Sequence, residues 1–167
     1  MFIIYVGDTG DVVRRIQADH CGDNTNVEAS SLRERLADNV GYQVSKTKRP
    51  SGSIRKRLDL SEPHIGEQLI SSYTKSGVWK FVICSSAREA KDFQWYVIEG
   101  LKPLLNIKHR PWKTENVERY RSLLASLLSS PSLRYDQLDG AHSGPGVYVL
   151  HHESQPKDFI MADKRAG

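Results

Sequence analysis

The chain has 167 residues, 38% of them hydrophobic and 26% charged, and a formal net charge of +4. That length suits one domain with at most a short appendage and excludes a multidomain machine. The apolar content can close one core, yet no apolar run approaches the ~18 residues needed to cross a bilayer, so a soluble protein with no membrane partner is expected. Met1 opens straight onto a strand-like segment without a basic leader, and the predicted compartment is the cytoplasm. Cys21 and Cys84 lie far apart, with no Cys or His neighbours in metal-ligand spacing, and read as buried or idle thiols.

Residues 2–7, FIIYVG, form a β-branched and aromatic run that ends in glycine, followed by the turn-forming Asp8-Thr9-Gly10; this predicts a buried strand and a tight turn. Asp11 can cap a helix whose apolar face is Val12, Val13, Ile16 and Ala18, with consecutive Arg14 and Arg15 pointing in different directions. Ser30-Ser31 opens a second short helix that Gly41 closes. Then comes KTKRPSGSIRKR, in which Lys46, Lys48, Arg49, Arg55, Lys56 and Arg57 stand without a single acid, leaving the rest of the chain net acidic. Pro50, Ser51, Gly52 and Ser53 break this stretch, which predicts a mobile loop able to neutralise phosphates and release counterions. The plainer reading is a solvated surface loop.

A helix is expected from Ser61 or Glu62 through IGEQLISSYTK, then a central strand at residues 78–85. Ala87 to Leu101 should be the longest helix, with Ala90, Phe93, Val97 and Leu101 on one face and Pro103 as its stop. A further helix, about Glu115 to Leu128, leads into Ser-Ser-Pro-Ser, the one plausible internal boundary. Residues 147–152, VYVLHH, read as a strand, and DFIMA as a second short one. Adjacent strand residues face opposite ways, so His151 and His152 are poor metal partners and read as surface groups or DNA contacts near Tyr148. Trp95 and Trp112 could stack on bases, although Trp95 on the long helix reads first as core.

Two strands thus set a tyrosine beside a glycine, Gly146-Val147-Tyr148 and Tyr5-Val6-Gly7; Arg15 and His20 follow the second, and Pro103-Leu104-Leu105-Asn106 comes downstream. This pattern resembles the GIY-YIG nuclease superfamily. The resemblance implies an α/β fold with a small antiparallel or mixed central sheet flanked by helices, and a metal-dependent DNA endonuclease activity using Mg2+ or Mn2+. It implies catalytic roles for Tyr5, Arg15, His20 and Tyr148: a tyrosine to position or deprotonate water, Arg15 to hold phosphate oxygens with its planar guanidinium, and His20 as a proton relay or phosphate donor. Gly7, Asn106 and Gly146 are structural motif positions. DNA is the expected partner, and a homodimer would suit a palindromic duplex.

Two departures stand out. The Gly-Val-Tyr strand follows everything else, as if the domain were circularly permuted, with residues 1–130 the YIG half and its helices and 131–167 a linker plus the returning strand, all one domain over 1–167. A strand swapped between protomers, or a core strand unrelated to the motif, would also fit. Second, the position where the family carries its metal-binding glutamate holds Gln94, which keeps one carbonyl oxygen but no charge. Glu99 lies about 140° further round the helix and substitutes poorly. A naturally inactive relative, a Glu→Gln variant that traps substrate, and a different register are all compatible with this; the trapped variant is the expectation. The rival reading is a non-catalytic nucleic-acid-binding module, and a weaker third is a protein-interaction scaffold. A Walker or dinucleotide phosphate loop is not supported at Gly7 to Gly10.

Overall fold

The computed structural model of the chain describes residues 1–166. Its elements follow in the order β1 (Phe2–Thr9), a short α1 (Val12–Arg14) running into a π-helix (Arg15–His20), α2 (Ser31–Asn39), β2 (Val44–Lys48), β3 (Ile54–Leu58), α3 (Pro63–Ser76), β4 (Val78–Ile83), α4 (Ala87–Leu101), α5 (Val117–Ser129), β5 (Leu133–Arg134), β6 (Gly146–His152) and α6 (Pro156–Ala166). The main sheet has the order β1-β6-β4-β5 with every pairing antiparallel, and β2 and β3 make a separate hairpin. The fold is α/β, with its helices distributed over both faces of that sheet. No helix among the described residues is long and apolar enough to cross a membrane.

Strand alternation sorts the side chains into two cores. Along β6, Val147 and Val149 join Val6 of β1 and pack under Ala90, Phe93 and Val97 of α4 and Leu123 and Leu127 of α5. Tyr148 and Leu150 face the other way, with Tyr5, Trp79, Ile16, Leu36, Ile70 and Tyr73. Cys21 and Cys84 are buried free thiols, and burial pushes them up to about 12 and about 11, which removes them from thiolate chemistry.

The strand β1 is an edge strand, and its outer backbone groups from Ile3 to Val6 find partners without another strand. The residues after α4 run alongside it: Leu104 and Leu105 donate their amides to the carbonyls of Ile3 and Ile4 at 3.0 and 2.9 Å. Asn106 then completes the edge with its side chain, Oδ1 accepting from the Val6 amide at 2.8 Å and Nδ2 donating to the Val6 carbonyl at 2.9 Å. Asn106→Ala orphans both groups and is expected to cost about 1–3 kcal/mol, read as a lowered urea midpoint. A midpoint within error of the parent would show that water replaces the amide without loss.

Three expectations are corrected. The stretch from Lys46 to Arg57 is a hairpin, not a mobile loop: Gly52, at φ +90°, accepts the left-handed turn after Pro50, and β2 and β3 pair over Val44–Leu58. DFIMA lies in α6, not in a strand. Pro156 opens the helix, Asp158 sits in its first turn, Lys164 and Arg165 in its last, and Pro156 and Ile160 are buried one turn apart; those charges complement the helix dipole. His152 is 5% exposed and stacks on Tyr73 at 4.1 Å, while the Nδ1 atom of His151 is buried without a partner. His152 is therefore not the surface group that the strand-end position predicted, whereas His151 is half-buried.

Candidate active site

Antiparallel pairing of β1 with β6 sets Gly7 opposite Tyr148. Directly paired residues point to the same face, and here only glycine fits: a Cβ on Gly7 would collide with the Tyr148 hydroxyl and with the Tyr5 ring. Gly146 is equally constrained, since a Cβ there would run into the Val82 carbonyl of β4. The two tyrosine rings lie 6.3 Å apart, and His20 is 5.1 Å from Tyr148 and 6.3 Å from Tyr5 between ring centres.

His20 is fully buried and bonded at both ring nitrogens, Nδ1 to Ser30 Oγ and Nε2 to Tyr148 Oη, each at 2.6 Å. Its ring stacks on Trp79. Ser30 also caps α2 by accepting from the Arg33 amide at 3.2 Å, so the residue that starts that helix also orients the histidine. Either imidazole tautomer satisfies this chain. A proton can therefore move between Tyr148 and Ser30 through the ring.

The Arg15 charge acts on the same group, pulling Tyr148 down against its burial, while its Nη1 is fixed by Asp19 at 2.9 Å and by the Ala29 carbonyl at 3.0 Å. Arg15 and His20 are five residues apart, which in an α-helix sets them about 140° from each other. The π-helix narrows that offset. The wider turn, marked by the Cys21 amide bonding to the Ile16 carbonyl at 3.0 Å, brings both side chains round to Tyr148, and such turns favour functional sites.

Burial decides the titration of this cluster. It raises Tyr148 well above its ordinary value and raises Tyr5 as well, against the opposing pull of Arg15 on both. His20 is pushed well below 6.5 by burial first, then by the charges of Arg15 and Arg33. The folded protein thus keeps His20 neutral where the unfolded chain would protonate it. Below about pH 6.5 the unfolded state binds the extra proton, so this group makes stability fall as pH falls, by at most ~1.4 kcal/mol per unit. His20→Asn is expected to flatten that limb in a series of thermal unfolding curves between about pH 5 and 6.5. An unchanged slope would assign the limb to His151 and His152, which burial also lowers.

On the α4 side of β1 stands Asp8, which sequence reading passed over. Its half-buried carboxyl lies near Gln94, with Lys91 and Arg15 as the cations acting on it, and burial nevertheless raises it above the ordinary carboxylate range. The strand pattern held the signal, because Asp8 alternates with Val6 and must face the long helix. Glu99 points elsewhere, bonded by the Trp112 indole on an exposed surface. No group of three His, Cys, Asp or Glu side chains among the described residues is gathered for a metal. A Mg2+ ion, however, is commonly held by one or two carboxylates while keeping waters and taking phosphate oxygens. The Asp8 carboxylate and the Gln94 carbonyl offer such a pair, so the residues present fit a divalent cation.

The family model for the GIY-YIG catalytic domain matches residues 1–126. The chain belongs to the GIY-YIG catalytic domain family. Membership carries a nuclease-type hydrolase acting on nucleic acid, and GIY-YIG nucleases generally depend on a divalent metal. No curated protein and no solved structure matches the chain. The family match ends before β6 begins, so Tyr148 enters the GIY-YIG site from a strand outside it.

The basic hairpin is partly neutralised. Arg49 and Arg57 bind Glu28, holding its carboxyl down at about 2, and Lys46 and Lys56 bind Glu34 at 3.3 and 2.7 Å. Lys48 and Arg55 make no ion pair among the described residues. The hairpin therefore spends four of the cations predicted to meet phosphates on docking against the body of the protein.

Proposed function

We propose that the chain is a metal-dependent DNA endonuclease whose activity Gln94 attenuates, with Tyr148, His20, Arg15 and Tyr5 as the reacting cluster. The observation that carries this reading is the buried Tyr148 hydroxyl bonded by His20 Nε2 at 2.6 Å, with the Arg15 charge acting on the same group. The Tyr148 hydroxyl, beside a cation and a neutral imidazole, can pass its proton to His20 and accept one from the attacking water. Arg15, planar and always charged, holds phosphoryl oxygens as negative charge builds on them. Asp8 and Gln94 would hold the cation, which when bound stabilises charge on the scissile phosphate. Lys48 and Arg55 of the hairpin, with the paired cations around them, add sequence-independent contacts to the backbone.

The pairing of β1 with β6 in one chain supports the permuted reading, in which residues 131–167 return the Gly-Val-Tyr strand to the domain that residues 1–130 begin. A homodimer would then serve to cut both strands of a duplex. Gln94 itself favours the second reading, a binding module that keeps the fold without cutting.

Cleavage of plasmid and branched DNA in magnesium or manganese separates the two, comparing the chain with Gln94→Glu, alongside binding by both in calcium. The glutamate version should cut on the order of 10-fold faster or more at limiting metal, because an added anionic oxygen tightens a hard cation. Binding by both proteins with no cutting by either would leave the binding module standing.

A further inference from the structure

The face of α4 turned away from the sheet carries a second basic surface, absent from the sequence pattern because its parts come from three segments. A groove of about 590 Å³ runs between α4, the loop at residues 110–113 and the start of α5. Arg88 and Lys91 line it from α4, Arg110 and Lys113 from the loop, and all four are exposed. None of them makes an ion pair among the described residues. The acids that line the groove are already engaged: Glu89 by Arg119 and Ser85, Asp92 by the Tyr120 hydroxyl and the Lys113 amide. Half-buried Trp95 forms part of the lining, with Arg110 over its ring at 5.6 Å.

We propose that this groove is a binding track for the phosphodiester backbone of the nucleic-acid strand that enters the active site. Three features favour that occupant. Four unpaired cations along one groove match a chain of evenly spaced anions, whereas the hairpin has given most of its cations to Glu28 and Glu34. A ring lining a basic groove suits a nucleotide, whose base can take the place of the exposed Arg110 guanidinium on its face. Finally, the groove shares α4 with the site: Lys91, which lines it, is the leading cation acting on Asp8, and Gln94 lies three residues on along the same helix. The inference rests on the nuclease reading above and says where the strand lies.

The test is binding of a labelled DNA duplex in calcium as a function of salt, for the full chain and two triple variants. Arg88→Ser/Arg110→Ser/Lys113→Ser removes three of the four unpaired cations of the groove and leaves Lys91 beside Asp8. Lys157→Ser/Lys164→Ser/Arg165→Ser removes the same charge from α6. The groove variant should lose on the order of 100-fold in affinity at about 0.15 M salt, and its salt slope should fall by about 2–3, near 0.9 for each phosphate contact removed. The α6 variant should stay within a few-fold of the parent, and both should melt close to it. Parent-like binding by the groove variant, or equal losses in both, would overturn the groove while leaving the nuclease reading intact if the parent still binds and cuts. A parent that does not bind DNA, or binds poly-glutamate in its place, would overturn both.

Discussion

Tyr148→Phe should reduce cleavage by about 10²- to 10⁴-fold, the range for losing a positioned acid–base group, in whichever of the chain and Gln94→Glu cuts DNA measurably. The ring is 1% exposed and packed among Tyr5, His20 and Trp79, so phenylalanine fills the same space and the fold should persist. What disappears is the oxygen that His20 Nε2 bonds and on which the Arg15 charge acts. His20 would then be a buried ring with one nitrogen unpaired, at about 1–3 kcal/mol, and a parallel melting curve should show that modest loss. Tyr5→Phe is the informative comparison, because its ring shares the cluster without the His20 bond. DNA binding in calcium should survive both changes. Equal cleavage by Tyr148→Phe and the parent would remove Tyr148 from the chemistry and leave Tyr5 as the reacting tyrosine.

Much of this architecture was legible in the sequence because it rests on local signals. The β-branched run at FIIYVG, the Asp11 and Ser30 caps and the apolar spacing of α4 each name one element, and each is found at its place. The antiparallel choice within the predicted antiparallel or mixed sheet depends on long-range pairing, which periodicity cannot supply. The same holds for the site. Tyr5, Tyr148, Arg15, His20 and Gln94 were visible as motif positions, but the π-helix that aligns Arg15 with His20 leaves no mark in a pattern read at α-helical spacing. The hairpin was misread because a cluster of cations looks solvent-bound until its counter-charges are known, and Glu28 and Glu34 lie some twenty residues upstream. DFIMA illustrates the ambiguity of short apolar runs, settled here by the proline ahead of it and the charges behind it.

Arg33→Ala should be the most destabilising of these changes, at about 3–5 kcal/mol. The Arg33 side chain is wholly buried, and its guanidinium ties three segments together: Nη1 donates to the His20 carbonyl at 3.0 Å and to Ser71 Oγ at 2.9 Å, Nη2 to the Glu67 carbonyl and carboxylate at 2.9 and 3.1 Å. Burial lowers Arg33 and raises Glu67 even though the two are paired, so neither charge is comfortable alone. Deleting the arginine leaves Glu67 with a largely buried charge and frees the end of the π-helix. A midpoint lower by about 10 °C is expected for a chain of this size. Arg33→Lys should rescue little, since an ammonium cannot reproduce the fork that spans His20, Ser71 and Glu67. The double variant Arg33→Met/Glu67→Leu separates charge from positioning. It removes both buried ions and should recover much of the stability, yet still cleave poorly, because the Thr74 hydroxyl is then the one remaining hold on the His20 carbonyl. Recovery of cleavage along with stability would show that the packing around Trp79 and Ser30 suffices to place His20, and that Arg33 serves the fold alone.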